Sequence, residues 1–148
     1  MAISKKPRKP YRPCPVAVNR PRLDEALRIF APILAALKQL LTGEIDSVRG
    51  VPVFPDWDGD LMQLDAALEG WMDCWERYQT GIDQAPLRQL AKRLSYNMPL
   101  EEAGILAALK VVNAQQQMFL RLPVATIKRE SLTEEIKIHM DAQLRRAA

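Results

Sequence analysis

The sequence predicts an all-α protein, a compact bundle of four or five helices, and three observations lead there. Between Leu61 and Tyr78, apolar residues recur as Leu61, Leu64, Leu68, Trp71, Trp75 and Tyr78, in steps of three and four that keep one face of an α-helix apolar. The composition, 48% hydrophobic and 26% charged, is that of a soluble globular chain with few strand-like runs. Prolines and Thr-Gly pairs then divide the chain into helix-length segments.

At 148 residues the chain is one domain on ordinary priors and needs no staple to bury a core. Its net charge of +3 is unevenly placed. Residues 1–22 hold seven of the 21 basic residues and none of the 18 acids, leaving 14 basic residues against 18 acids, a net −4, in 23–148. The organisation expected is a basic, Pro-rich, disordered arm over 1–22 followed by a single helical domain over 23–148. Cys14 and Cys74 form no CxxC pair and His139 is the sole histidine, so neither a disulfide nor a zinc site is expected. No apolar run is long enough for a signal sequence or a membrane span, which points to the bacterial cytoplasm.

In the arm, Pro7, Pro10, Pro13, Pro15 and Pro21 remove backbone donors and favour extended geometry. Two readings apply to it: a solvated tail, or a contact arm for nucleic acid or an acidic partner made by Lys5, Lys6, Arg8, Lys9, Tyr11 and Arg12, with Tyr11 available to stack on a base. The segment KPRKPYRPCPVAVN, and within it Tyr11, Arg12, Pro13, Pro15 and Val16, resembles the opening of a set of small uncharacterised proteins encoded in phages, prophages and related mobile elements of betaproteobacteria. Ala114-Gln115 and the stretch Val124 to Ile127 look like the late helices of that group, whereas 44–59 departs from it as an extra loop. The resemblance implies a mobile-element setting and carries no activity.

From Leu23 to Leu41 the apolar positions Leu27, Phe30, Ile33, Leu34, Leu37, Leu40 and Leu41 predict a helix, kinked or divided at Pro32 and closed by Thr42-Gly43. Residues 44–59 predict an irregular Pro/Asp-rich loop with a short extended piece and Phe54 turned into the core. Asp56, Asp58 and Asp60 fail as an EF-hand, because Leu61 stands where the loop needs Gly and Ala67 where it needs Glu. Asp58 or Asp60 is instead expected to cap the next helix. That helix should bury Leu64, Leu68, Trp71, Trp75 and Tyr78 as structural core and present Asp65, Glu69, Asp73 and Glu76 to water or to a partner.

Asp83 is placed to cap a short helix with Leu87, Leu90, Ala91 and Leu94 inward and Arg88, Lys92 and Arg93 outward. A further helix from Pro99 to about Leu120 buries Ile105, Leu109, Val112 and Phe119, with Gln116 expected at solvent. Most of 126–146 reads as a last helix, with Ser131 and Glu134 as a capping box, Ile136, Met140 and Leu144 inward, and His139 exposed.

There is no Gly-rich phosphate loop, nucleophile elbow or metal-ligand spacing, so no catalytic residue, metal or cofactor is expected. The leading expectation is an accessory protein that binds a host or phage protein through a helical face. The other is a nucleic-acid binder that uses the arm, with Arg88, Lys92, Arg93 and Lys110 as body contacts.

Overall fold

Helix α1 spans Arg20–Thr42 and runs through Pro32 without dividing. The carbonyl that this proline leaves without a helical donor, that of Arg28, accepts a hydrogen bond from the Trp57 indole. The helix also takes in Arg20, Pro21 and Arg22, so its start lies inside the segment read as an arm. At its other end Gly43, at φ +76°, supports a Schellman closure in which the Glu44 and Gly43 amides donate to the Gln39 and Leu40 carbonyls. The computed structural model describes residues 20–77, 81–121 and 129–147; the remaining arm residues, with Tyr11 and the basic residues at 5, 6, 8, 9 and 12, lie outside that range, as does Tyr78.

The region read as an irregular loop folds instead into a three-stranded antiparallel sheet, β1 (Ser47–Val48), β2 (Val51–Pro55) and β3 (Leu61–Gln63), ordered β1-β2-β3. The protein is therefore mostly helical with a small sheet rather than all-α. Arg49 and Gly50, both at positive φ, make the two-residue β1–β2 turn that suits the right-handed strand twist. The β2–β3 turn is held by Asp56, whose Oδ1 accepts from the Asp58 and Asp60 amides at 2.9 and 2.8 Å. The network uses Oδ1 alone; Oδ2 of Asp56 is buried without a hydrogen-bond partner among the described residues. Asp58 and Asp60 do not cap a helix; the residue before α2 is Gln63, with no side-chain cap. Leu61, placed by periodicity on the apolar helix face, lies in β3 with 58% of its surface exposed.

Helix α2 (Leu64–Glu76) is the centre of the molecule. Leu64, Leu68, Trp71 and Trp75 are buried, and the ring of Phe30 from α1 stands edge-on to Trp71, with centroids 5.0 Å apart, while also meeting Trp75 and Phe119. Phe54 and Met62 from the sheet join the same core. Helix α3 (Ala85–Ser95) packs on α2 and α4, and α4 (Glu102–Arg121) packs on α1. Asn97, at φ +50°, closes α3 with a second Schellman motif. The residue before α3 is Gln84, with no side-chain cap, so Asp83 does not cap the helix as expected; one residue earlier, its carboxylate accepts from the Ala85 amide at 3.0 Å in an Asx turn that leads into the helix.

Helix α5 (Arg129–Ala147) begins before Ser131, so the expected capping box falls within its first turns. Its buried residues are Leu132, Glu135 and Ile136, whereas Met140 is half-buried and Leu144 is exposed. The inward face therefore lies nearer the helix start than the apolar spacing suggested. Among the described residues, no helix is long and apolar enough to cross a membrane.

Candidate functional site

On α2 and its C-cap, Asp65, Glu69, Asp73 and Arg77 recur every fourth residue, and so do Glu135, His139 and Gln143 on α5. Residues four apart lie on one helix face, so each set forms a polar stripe. The structure brings the two stripes together. Gln143 donates to Asp65 Oδ2, His139 sits between Asp73 and Glu69, and Arg77 pairs with Glu135, an order that makes the two helices antiparallel. The carboxylates expected to face water or a foreign partner are thus largely met by the chain's own last helix. Asp65 is buried, Glu69 half-buried, and only Asp73 and Glu76 are exposed.

The helices approach closely because position 70 is glycine. A Cβ there would lie 2.7 Å from the Ile136 Cα and backbone N, a separation that side chains do not tolerate. Beside the backbone contact of Gly70 with Ile136, Asp73 and His139, each one turn from it on its own helix and on opposite sides of it, reach across and meet. His139 Nε2 is 2.7 Å from Asp73 Oδ2 and Nδ1 is 3.5 Å from Glu69 Oε2. The expectation of an exposed histidine is corrected by this contact: its acidic neighbours come from α2, distant in sequence. Asp73, Glu135 and His139 each offer a donor atom within 4.8 Å of the others'. Cys74 lies beside this seam, and its thiol pKa is pushed up to about 11, chiefly by burial, with the Glu135 carboxylate adding to the rise.

Compared with protein-family models, curated proteins and solved structures, the chain matches none.

Beside the seam, an open groove of about 690 Å³ runs between α2, α3 and the end of α5, reaching Val51 of β2. Met72 and Ala91 lie on its apolar side; Arg88, Lys92, Tyr96, Leu144 and Arg146 line it as well. Tyr96 is 71% exposed. Arg88 pairs with Glu76 at 3.0 Å, whereas Lys92 and Arg146 make no ion pair among the described residues. Asp65 and Glu69 also line the groove, but their carboxylates already engage Ser95, Gln143 and His139. Hydrogen bonds from neutral side chains leave the Asp65 charge in place, so the groove is mixed in sign, with Lys92 and Arg146 at its exposed edge. Of the cations singled out from sequence, the groove gathers Arg88 and Lys92; Arg93 instead donates to the Pro99 carbonyl and faces Glu101, while Lys110 stands on α4.

A second polar feature lies inside the core. Trp71 Nε1 donates to Gln115 Oε1 at 2.7 Å, Gln115 Nε2 donates to Gln84 Oε1 at 2.8 Å, and Gln84 Nε2 donates to the Met72 carbonyl at 3.0 Å. All three side chains are buried, so the relay satisfies its members where an unpaired group would be costly. The buried glutamine is Gln115, one position from the Gln116 that the spacing drew out. The relay ties α2 to α4 and to the start of α3, a structural role.

Proposed function

We propose that this protein acts by binding an acidic segment of another protein in the groove between α3 and α5, as an accessory factor of a phage or related mobile element, and not by catalysis. The observation that carries the reading is Tyr96, exposed in the groove that Lys92 and Arg146 also line, two cations that make no ion pair among the described residues. An aromatic ring in one groove with unpaired cations is a common anchor for a partner that supplies carboxylates. The apolar side made by Val51, Met72, Ala91 and Leu144 suits the side chains of a peptide better than a phosphate backbone does. The phage setting rests on the Tyr11 to Val16 motif, and the cytoplasm is the compartment that goes with it.

A second reading, single-stranded nucleic acid, draws on the same tyrosine as a stacking platform and on the seven cations of residues 1–22. Against it stands the net −4 of residues 23–148.

The test compares the full chain with Lys92→Glu/Arg146→Glu and Tyr96→Ala in affinity capture from bacterial lysate across a salt series, with Lys38→Glu on exposed α1 as control. Proteins retained by the wild type and the control but lost by both groove variants support the first reading. Retention indifferent to the groove contradicts it. Retention of a single-stranded oligonucleotide that falls steeply with salt and is lost on deleting residues 1–19 favours the second.

A further inference from the structure

We propose that Asp73, Glu135 and His139 form a binding site for a divalent first-row transition-metal ion, with zinc the best fit, and that Glu69 orients the imidazole. The site lies on the α2–α5 seam, separate from the proposed macromolecular contact at Tyr96.

The imidazole distinguishes this cluster from an acidic surface patch. His139 presents both ring nitrogens to carboxylates, Nε2 to Asp73 at 2.7 Å and Nδ1 to Glu69 at 3.5 Å. A neutral imidazole carries one N–H, so it satisfies only one of these contacts and turns a lone pair toward the other. Without an ion, the 2.7 Å contact holds a proton between Nε2 and Asp73; an ion bound there takes that proton's place, Glu69 then receives the Nδ1 N–H, and Glu135 is within reach of both ligands. That is the carboxylate–histidine–metal arrangement in which an outer carboxylate fixes the tautomer and the ring's other nitrogen ligates.

Charge leads to the same place. Three carboxylates converge on one histidine, and the cation that answers them is Arg77, which pairs with Glu135 from a position 64% exposed. Glu135 itself retains only 7% of its surface. A doubly charged ion between Asp73 and Glu135 would offset the excess and let Arg77 turn to solvent. The donor atoms lie within 4.8 Å of one another, and metal–ligand bonds of about 2.0–2.2 Å set donors roughly 3.5 Å apart, so side-chain rotation has to widen the 2.7 Å His139–Asp73 contact and draw Glu135 in. One nitrogen and two oxygens fit zinc and its neighbours, whereas calcium and magnesium prefer six or more oxygens. The i, i+4 spacing of Glu135 and His139 on α5, and of Glu69 and Asp73 on α2, holds the donors on rigid helices fixed by the Gly70–Ile136 contact.

The experiment uses the full chain, stripped with EDTA and dialysed, and titrates it with zinc by calorimetry alongside thermal melts in zinc, calcium and magnesium. One zinc per chain is expected, with a rise in Tm that calcium and magnesium do not reproduce. His139→Gln and Asp73→Asn should each abolish the response, and Glu69→Gln should weaken binding about 10- to 100-fold at unchanged stoichiometry. Two readouts need no variant. Zinc should protect the single histidine from diethylpyrocarbonate, and cobalt should give visible d–d bands without a thiolate charge-transfer band. Absence of saturable binding overturns the proposal, as does zinc binding that survives in a folded His139→Gln chain, an unprotected His139, or a thiolate band that assigns the ion to cysteine.

Discussion

The Trp57 indole N–H donates to the Arg28 carbonyl across 2.7 Å, the oxygen that Pro32 leaves unpaired in α1. A helix interrupted by proline thus stays continuous because a side chain from the β2–β3 turn supplies the missing donor. Trp57→Phe should keep the ring packing and cost about 0.5–1.5 kcal/mol. In a Pro32→Ala background, where residue 32 regains its own N–H, the same substitution should cost measurably less. Urea denaturation of the four chains in the cycle reads the difference.

Gly70→Ala should destabilise the protein even though alanine is the better helix former. The new Cβ meets the Ile136 backbone at 2.7 Å, and backbone cannot step aside as a flexible side chain would. The cost expected is about 1–3 kcal/mol, read as a lower midpoint in urea. Gly104→Ala in α4, where a Cβ meets nothing within 4 Å, should be neutral or stabilising.

The two buried tryptophans should respond differently to loss of their indole nitrogen. Trp71→Phe leaves Gln115 Oε1 without its donor, a loss of about 1–3 kcal/mol beyond that of the smaller ring. Trp75 Nε1 is buried with no hydrogen-bond partner among the described residues, so Trp75→Phe removes an unsatisfied donor and should cost less. Thermal melts of the two variants decide the order, and Gln115→Leu should approach Trp71→Phe in severity.

Cys74 should be inert to thiol reagents in the native state. With its pKa raised from 9.0 to about 11, almost none of it is thiolate at pH 8, and burial limits access as well. Measured on a Cys14→Ser chain, reaction with a disulfide reagent at pH 8 should be slow until urea unfolds the protein. Because the native state holds this proton more tightly than the unfolded chain, the contribution to stability is fully present below about pH 9 and is lost as pH rises toward 11.

The stripe Leu64, Leu68, Trp71 and Trp75 was legible because helical periodicity is local, and the prolines and glycines marked most element ends for the same reason. The strands were not. Leu61 continues the helical spacing three residues before Leu64, so periodicity alone extends α2 backwards over a segment that pairs with β2. Nor does an Arg-Gly pair announce the β1–β2 turn, since Asn or Asp usually precedes that glycine. The seam was hidden for a different reason. Glu69 and Asp73 read as solvent-facing on α2 and His139 as solvent-facing on α5, each correctly described as polar. Only the fold reveals that the two polar faces cover one another, brought together by a glycine whose purpose depends on Ile136, 66 residues away.

Carboxyl footprinting by mass spectrometry tests most directly the central claim that α5 covers the acidic face of α2. Glu134 and Glu135 are neighbours on α5, one exposed and one buried against Arg77; Asp65 is buried on the seam, whereas Asp58 and Asp60 are exposed in the turn. Carbodiimide-driven labelling of the native chain should modify Glu134, Asp58 and Asp60 readily and leave Glu135 and Asp65 at least tenfold slower, with the contrast abolished in urea. Equal labelling of Glu134 and Glu135, and of Asp65 with Asp58, would contradict it and return the acidic face of α2 to solvent.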